Sequence, residues 1–259
     1  MIELPGYSIS EQLYESDRTL VFRGTQDNED RTVILKSLTS EYPKVEELGR
    51  RQHEFDIINS IESKGVIDAY ALVEHQHSLV LVLEDFYQSN LKHQLPPNGF
   101  ELKEALSKSI DLAETIGNIH QQSVIHGDIN PSNILLDFTS GQTKIIDFDL
   151  ATRLSRQTPS FRDFEILEGT LSYMSPEQTG RMNRDIDYRS DLYSFGVTLY
   201  EMFTGQLPFQ SDDPMELIHR HIAQIPVPPQ ELNPNIPPSV SDIIMKLLSK
   251  TAEDRYQGS

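Results

Sequence analysis

The most constraining feature of the chain is a polar segment at 126–133, His-Gly-Asp-Ile-Asn-Pro-Ser-Asn, followed by Asp-Phe-Asp at 147–149. Each segment adjoins a short apolar run, so both are expected to be loops at the ends of buried elements. Phosphoryl transfer from a nucleotide needs a carboxylate to orient the attacking hydroxyl, and an amide and a second carboxylate to hold magnesium. Asp128, Asn133 and Asp147 supply these groups, so the pattern predicts a site for that chemistry.

The composition excludes several other kinds of site. The 259 residues include no cysteine, which rules out disulfides, thiolate zinc sites, iron–sulfur clusters and a cysteine nucleophile. The net charge is −18 with His neutral, and we expect no nucleic-acid partner because such a surface repels a phosphate backbone. The spacing of His75, His77, His219 and His221 does not resemble a metal site, and we expect ordinary surface or loop positions for them.

No membrane or export signal is visible. No apolar run approaches the roughly 18–20 residues that cross a bilayer, so no membrane segment is expected. The N-terminus has no basic region followed by an apolar stretch, so no signal peptide is predicted. The expectation is a soluble cytoplasmic protein.

The first part of the chain is predicted to be rich in strands. Residues 1–86 contain the β-branched segment Thr32–Lys36 and the unbroken apolar run Leu79–Leu83, both typical of strands. One helix interrupts them from about Val45 to Ser63, because apolar residues recur loosely at helical spacing as far as Ile61.

The second part is predicted to be rich in helices, which gives an α+β fold of two lobes with a cleft between them. Apolar stripes indicate the helices, and a cluster of prolines marks a long loop. The predicted elements are helices over 101–121, Leu192–Phe203 (stopped by Gly205) and Val240–Leu248, a short strand Lys144–Ile146, and a loop from Pro226 to Pro238.

The pattern His-x-Asp-x-x-x-x-Asn followed by Asp-Phe resembles the protein-kinase family. The resemblance implies that Asp128 is the catalytic base and that Asn133 and Asp147 are magnesium ligands. Lys36, at the end of Val-Ile-Leu-Lys, resembles the lysine that pairs with the phosphates of ATP. Glu54, eighteen residues later, resembles the ion-pair partner of that lysine.

The resemblance covers about residues 7–257 and implies a two-lobed protein-kinase fold. Residues 1–86 would be the N-lobe, with nucleotide-binding strands and one regulatory helix, and residues 87–259 the C-lobe, with the catalytic loop and activation segment. The implied cofactors are ATP and Mg²⁺, and the implied partners are a protein substrate or effector domains. The sequence ends at Gly258-Ser259, before the final helix that such kinases usually have, so that helix is expected to be missing.

Further positions resemble the adenine site of the family. Leu13 and Val21 would flank the glycine-rich loop over the nucleotide, and Leu83 would be the gatekeeper. The backbone of Glu84 and Phe86, in the hinge after the strand, would meet adenine.

Motifs in the C-lobe extend the resemblance. The segment 169–177, Gly-Thr-Leu-Ser-Tyr-Met-Ser-Pro-Glu, resembles the end of an activation segment, and its Gly-Thr suits a Ser/Thr substrate. Asp191 resembles the aspartate that braces the catalytic loop. Arg255 resembles the arginine that pairs with Glu177, and His126 is expected to pack against the Asp-Phe segment without transferring protons.

Three short segments narrow the resemblance to one bacterial subgroup. They are Leu-Pro-Gly-Tyr at 4–7, Asp-Ile-Asn-Pro-Ser-Asn at 128–133 and Ser-Pro-Glu-Gln-Thr-Gly-Arg-Met-Asn-Arg at 175–184. The subgroup consists of the N-terminal Ser/Thr-kinase domains of large hybrid proteins whose later regions resemble an ATPase module, a GAF domain and a sensor histidine kinase. The resemblance implies a role in bacterial signal transduction.

The chain departs from the family pattern in the loop over the nucleotide. Tyr14, Ser16 and Thr19 occupy the three glycine positions, and their side chains are expected to hinder close approach of the backbone to phosphates.

Three departures lie nearer the catalytic groups. Asp149 replaces the glycine of Asp-Phe-Gly, so a flexible hinge is lost. Gly127 replaces the arginine of His-Arg-Asp, so activity is expected not to depend strongly on phosphorylation of the activation loop, as in non-RD kinases. Asn130 stands where Ser/Thr kinases usually carry a lysine, and its neutral side chain predicts a lowered activity.

Two other functions stay open at this point. His-Gly-Asp and Asp-Phe-Asp also resemble small-molecule phosphotransferases, although these lack a segment like 169–177. The degenerate loop, Asp149 and Asn130 favour a pseudokinase that serves as a nucleotide sensor or a partner-binding module. The complete set of catalytic side chains favours the Ser/Thr protein kinase.

Overall fold

The computed structural model describes residues 4–86, 89–137, 140–153, 171–182 and 184–258. The strands are β1 Tyr7–Glu15, β2 Thr19–Gln26, β3 Arg31–Leu38, β4 Ala69–His75, β5 Ser78–Glu84, β6 Ser89–Asn90, β7 Val124–Ile125, β8 Ile134–Leu136, β9 Thr143–Ile145 and β10 Thr152–Arg153. The α-helices are α1 Val45–Ile58, α2 Leu91–Gln94, α3 Leu102–Gln121, α4 Tyr188–Thr204, α5 Pro214–Ala223, α6 Pro229–Leu232 and α7 Pro238–Leu247. Short 3₁₀ turns span Pro131–Asn133, Leu171–Tyr173, Glu177–Thr179 and Ala252–Asp254.

The N-terminal lobe is an antiparallel sheet of five strands in the order β1-β2-β3-β5-β4, with α1 packed on it. Both faces of the central strands are buried, so alternate residues enter two different cores. Val33 and Leu35 of β3 point into a small outer core, whereas Ile34 points into the main core with residues of α1. Lys36 has the same parity as Ile34, and this alternation directs its side chain towards α1 and the cleft.

The C-terminal lobe is built around α4. Fifteen of the seventeen residues of this helix are buried, and it contacts α3, α6 and α7. Gly205 ends the helix with φ +73°, a conformation that glycine adopts without strain, as the sequence predicted. The predicted α+β, two-lobed fold is confirmed.

Two element predictions need correction. The helix predicted to reach Ser63 ends at Ile58, because the chain turns there with Ser60 N–H donating to Ile57 O. Ile61 still packs in the core from outside the helix, so its apolar character misled the pattern. The predicted loop from Pro226 to Pro238 contains the short helix α6.

One histidine prediction is also wrong. His221 lies on α5 with 1% exposure, and its Nδ1 is 3.0 Å from the hydroxyl oxygen of Tyr193. Sequence spacing does not show which face of a short helix will be covered. In the part of the chain that the structure describes, none of the helices is long and apolar enough to cross a membrane.

Candidate active site

Lys36 joins the two lobes. Its Nζ donates to Glu54 Oε1 at 2.7 Å and to Asp147 Oδ1 at 2.8 Å, and its side chain is only 11% exposed. The first contact forms the ion pair that the resemblance implied. The second brings a residue of the C-terminal lobe to the same ammonium group, so one lysine positions two carboxylates.

Glu54 is held from both sides. It is fully buried on the core-facing side of α1, and its second oxygen, Oε2, accepts from Arg51 Nη1 at 2.6 Å. Sequence reasoning missed Arg51. Its spacing of three residues before Glu54, which puts both side chains on one helix face, was the available signal.

Asp128 and Asn133 form a second pair at the start of β8. The amide nitrogen of Asn133 donates to Asp128 Oδ2 at 2.8 Å and to Asp128 O at 3.0 Å. Asp128 Oδ1 is buried and has no hydrogen-bond partner among the described residues. One carboxylate oxygen of the catalytic-base candidate is therefore left without a donor in the described part of the chain, which is unusual for a buried polar atom.

A small antiparallel pairing brings Asn133 and Asp147 together. β8 and β9 pair with Ile134 opposite Ile145, so the residue before β8 and the segment after β9 lie at the same end. Ile146 N–H donates to Asn133 O at 2.9 Å, which fixes this closeness. An Asp carboxylate and an Asn amide oxygen are ligands that suit Mg²⁺, and the side chain of Asp147 is 38% exposed.

The predicted catalytic loop is held in place by Asp191 of α4. Asp191 accepts the backbone N–H groups of His126 at 2.8 Å and Gly127 at 2.7 Å, which confirms the predicted brace. Asp128 N–H donates to His126 Nδ1, so the ring carries its proton on Nε2, which donates to Ile146 O at 3.0 Å. The ring also packs against Phe148 as predicted, with centroids 4.6 Å apart.

The pKa values of Asp128 and Asp147 are shifted in opposite directions. Burial, with the charge of Asp147, raises the pKa of Asp128 above the ordinary value for a carboxyl group. Burial acts in the same sense on Asp147, but the charge and hydrogen bond of Lys36 outweigh it and lower its pKa. Burial acts to lower the pKa of Lys36, and Asp147 and Glu54 together raise it above the ordinary value. Lys36 and Asp147 are thus held as an ion pair before any ligand binds.

The predicted adenine-site residues lie on the same side of the N-terminal sheet. Leu13, Val21 and Phe86 are partly buried against the main core, and Leu83 is buried in it. Glu84 N–H donates to Asp68 O at 3.0 Å, so an adenine contact there would use the carbonyl oxygen. The adenine-binding role of these residues stays a prediction.

Comparison with known proteins identifies the family. A family model described as protein kinase domain matches residues 7–258. The chain belongs to the protein kinase family.

Several relatives of this kinase domain are named as serine/threonine-protein kinases. It is 31% identical over 97% of its length to a probable serine/threonine-protein kinase of Clostridium perfringens, covering 36% of that protein. It is 32% identical over 88% of its length to the serine/threonine-protein kinase PrkC of Bacillus subtilis, covering 35% of it. A third relative, PknB of Mycobacterium tuberculosis, is 33% identical over 60% of the chain and 24% of PknB. The chain thus spans about a third of the length of the first two relatives, and the family is that of the Ser/Thr protein kinases.

The turn between β1 and β2 accommodates other residues at the three glycine positions of the family pattern. Tyr14, Ser16 and Thr19 all have negative φ, so none of these positions requires glycine for its backbone conformation. The turn is closed by polar contacts, since Ser16 N–H donates to Thr19 O at 2.9 Å and Thr19 N–H donates to Ser16 Oγ at 3.1 Å. The Ser16 N–H is therefore already used within the hairpin.

Two of the other three departures have a local structural explanation. Gly127 has φ +79°, where a side chain would be strained. Asn130 is buried and caps the 3₁₀ turn that follows, accepting from Ser132 N–H at 2.9 Å, so it shapes the loop. Asp149 is partly buried and adds a negative charge near Lys36. The predicted Gly169-Thr170 lies outside the described residues.

Proposed function

We propose that the chain is an ATP- and Mg²⁺-dependent protein kinase that transfers the γ-phosphate to Ser or Thr of a protein. The observation that carries the proposal is the carboxylate of Asp128, of which one oxygen is held by Asn133 and the other is buried with no hydrogen-bond partner among the residues that the structure describes. A buried acceptor without a donor is costly unless a ligand supplies one, and a substrate hydroxyl is such a donor.

Each residue of the site has a role in this reaction. Asp128 Oδ1 would accept the hydroxyl proton and orient the oxygen for attack. Lys36, held by Glu54, would bind the nucleotide phosphates, and Asn133 and Asp147 would hold Mg²⁺. The ion supplies neutralisation of phosphate charge when bound. Positioning and charge compensation dominate such reactions, which suits a site whose side chains are preset by the protein.

The wider setting is proposed on the same basis. We place the boundary between nucleotide-binding lobe and catalytic lobe at 86/87, and the reaction in the cytoplasm, where ATP is made. Bacterial relatives and the three subgroup segments support a signalling role as one domain of a larger protein. Gly127 supports activity independent of loop phosphorylation. The occupied N–H of Ser16 and the neutral Asn130 support a low rate.

Transfer of labelled γ-phosphate from Mg-ATP to the chain itself and to a generic acceptor protein tests the proposal. Asp128→Asn should lower transfer by about 10²- to 10⁴-fold, the usual contribution of a general base, while nucleotide affinity and thermal stability stay close to wild type. Asp242→Asn, the same change on the exposed side of α7, serves as the matched control and should transfer normally. Equal labelling by the wild type and Asp128→Asn would disprove the assignment.

A nucleotide-sensing pseudokinase is the second candidate, favoured by the closed hairpin at Ser16–Thr19. It predicts that Mg-ATP raises the melting temperature of the wild type while no labelled phosphate appears above the Asp128→Asn blank. Transfer to a small alcohol with none to protein would instead indicate a small-molecule phosphotransferase.

A further inference from the structure

Four buried or partly buried charged side chains contact one another in series, from α1 to Asp147, the candidate metal ligand. Arg51 contacts Glu54 at 2.6 Å, Glu54 contacts Lys36 at 2.7 Å, and Lys36 contacts Asp147 at 2.8 Å. The signs alternate along the line. Each oxygen of Glu54 thus has its own cation, one from its own helix and one from β3.

In the proposed reaction, the contact between Lys36 and Asp147 would have to loosen so that each side chain can bind its ligand. If Lys36 binds phosphates and Asp147 binds Mg²⁺, the ammonium group is shared with ligand oxygens and its bond to Glu54 weakens. Glu54 is 0% exposed, so water cannot replace the lost interaction. A buried carboxylate with a weakened partner is strongly destabilised unless another cation stays with it.

Arg51 is suited to be that cation. It lies three residues before Glu54 on the same helix, so it moves with Glu54 and not with the nucleotide or with β3. A guanidinium group keeps its charge at all relevant pH values. By fixing Oε2, it also fixes the direction of Oε1, the oxygen that holds Lys36.

The burial of Arg51 is not explained by its own hydrogen bonding. The side chain is 4% exposed, yet its Nε has no partner among the described residues. A buried donor without a partner lowers the stability of the folded protein, so a contribution to stability alone does not explain why an arginine is buried at this position.

We propose that Arg51 is a positioning residue that holds the carboxyl group of Glu54 in its orientation, so that Lys36 stays aimed at the nucleotide phosphates during transfer. The proposal rests on the proposed kinase function, which it deepens.

Steady-state kinetics of autophosphorylation and of transfer to a generic acceptor, with ATP varied, test it. Arg51→Met should raise KM for ATP and lower kcat, with kcat/KM falling by about 10- to 100-fold, the range expected for a charged hydrogen bond. Arg51→Lys should recover part of the loss because it restores the cation. Arg50→Met removes the same charge from the exposed neighbouring position and should stay within about twofold of wild type.

A double variant distinguishes positioning from general support of the fold. If Arg51 acts through Glu54, Glu54→Gln/Arg51→Met should be no less active than Glu54→Gln alone. This pair removes one charge of each sign, so it remains informative even if the single Arg51→Met variant does not fold. A further tenfold loss in the double variant, or a wild-type kcat/KM in Arg51→Met, would overturn the proposal. A wild-type protein that transfers no phosphate to any acceptor would instead refute the kinase function on which it rests.

Discussion

Two buried clusters of charged side chains, one around Arg255 in the C-terminal lobe and one in the cleft, both contain arginine and carboxylate groups. They differ in how many of their polar atoms have hydrogen-bond partners. In the C-terminal lobe, Arg255 donates to both oxygens of Glu177, at 2.6 and 2.9 Å, and Ser190 Oγ donates to the same carboxylate at 2.8 Å. The remaining N–H groups of Arg255 reach backbone carbonyl oxygens, those of Arg189, Ser249 and Lys250. The arginine and the carboxylate of this cluster both have their partners within the protein.

The cluster in the cleft is different. Asp128 Oδ1 and Arg51 Nε are buried without partners among the described residues, and Asp147 presents a partly exposed carboxylate. Buried charged groups are normally paired, so unpartnered atoms of charged side chains beside a cleft call for an explanation, such as a bound ligand. Completeness of hydrogen bonding, more than residue type, thus distinguishes the Glu177–Arg255 cluster from the cluster in the cleft.

Breaking the complete cluster should have the largest effect on stability. Arg255→Met leaves Glu177 buried without its cation, and we expect a loss of about 3–5 kcal/mol in the free energy of unfolding. The matched control is Arg184→Met, which breaks an exposed Arg–Glu pair with Glu253 and should cost less than about 1 kcal/mol. Urea unfolding of both variants measures the two losses, and equal losses would show that the buried pair contributes no more to stability than the exposed one.

Asp147→Asn tests the incomplete cluster. It keeps the size of the side chain but removes the charge that Lys36 and Mg²⁺ would share. We expect the magnesium-dependent gain in nucleotide affinity to fall by at least about tenfold, since even an indirect partner of a metal costs that much. Nucleotide titration with and without Mg²⁺ measures it, and an unchanged magnesium effect would show that Asp147 is not a ligand.

The sequence predicted most of the fold because local patterns encode it. β3 and β5 carry short apolar, β-branched runs, and α3 and α4 carry apolar stripes at helical spacing, so none of them needs tertiary information. Gly205 marks the end of α4 because glycine readily adopts the positive φ that ends a helix. The candidates Asp128, Asn133 and Asp147 come from spacing within a single loop–strand unit. The structure brings them together through the pairing of β8 with β9.

The features that escaped prediction depend on contacts between distant segments. Arg51 and His221 would normally be assigned to the surface, yet both are buried because other elements cover them. Ile61 was predicted to lie in the helix because it is apolar at helical spacing. It packs in the same core as Ile57 and Ile58 of α1, although it lies after the end of the helix. The role of each proposed site residue in binding and transfer stays a prediction, since spacing and proximity do not measure chemistry.

The smallest predicted effect concerns Lys250, a second cation beside Arg255 in the otherwise complete cluster. Burial first, and then the charge of Arg255, lower the pKa of Lys250 to about 7. Between pH 7 and the ordinary lysine pKa, the folded chain binds fewer protons than the unfolded chain, so this residue makes stability rise with pH. Below pH 7 the full cost of its buried charge is present.

Lys250→Met removes that cost, so its unfolding free energy relative to wild type should be most favourable at pH 6 and should decline towards pH 9. Because the side chain is only partly buried, the decline should be a fraction of ~1.4 kcal/mol per pH unit. Urea unfolding of both proteins across this range gives the difference, from which the contribution of the acidic surface cancels. A difference independent of pH would mean that the charged form of Lys250 is not destabilised by folding. The ammonium group would then be as well accommodated by its neighbours as the guanidinium group of Arg255.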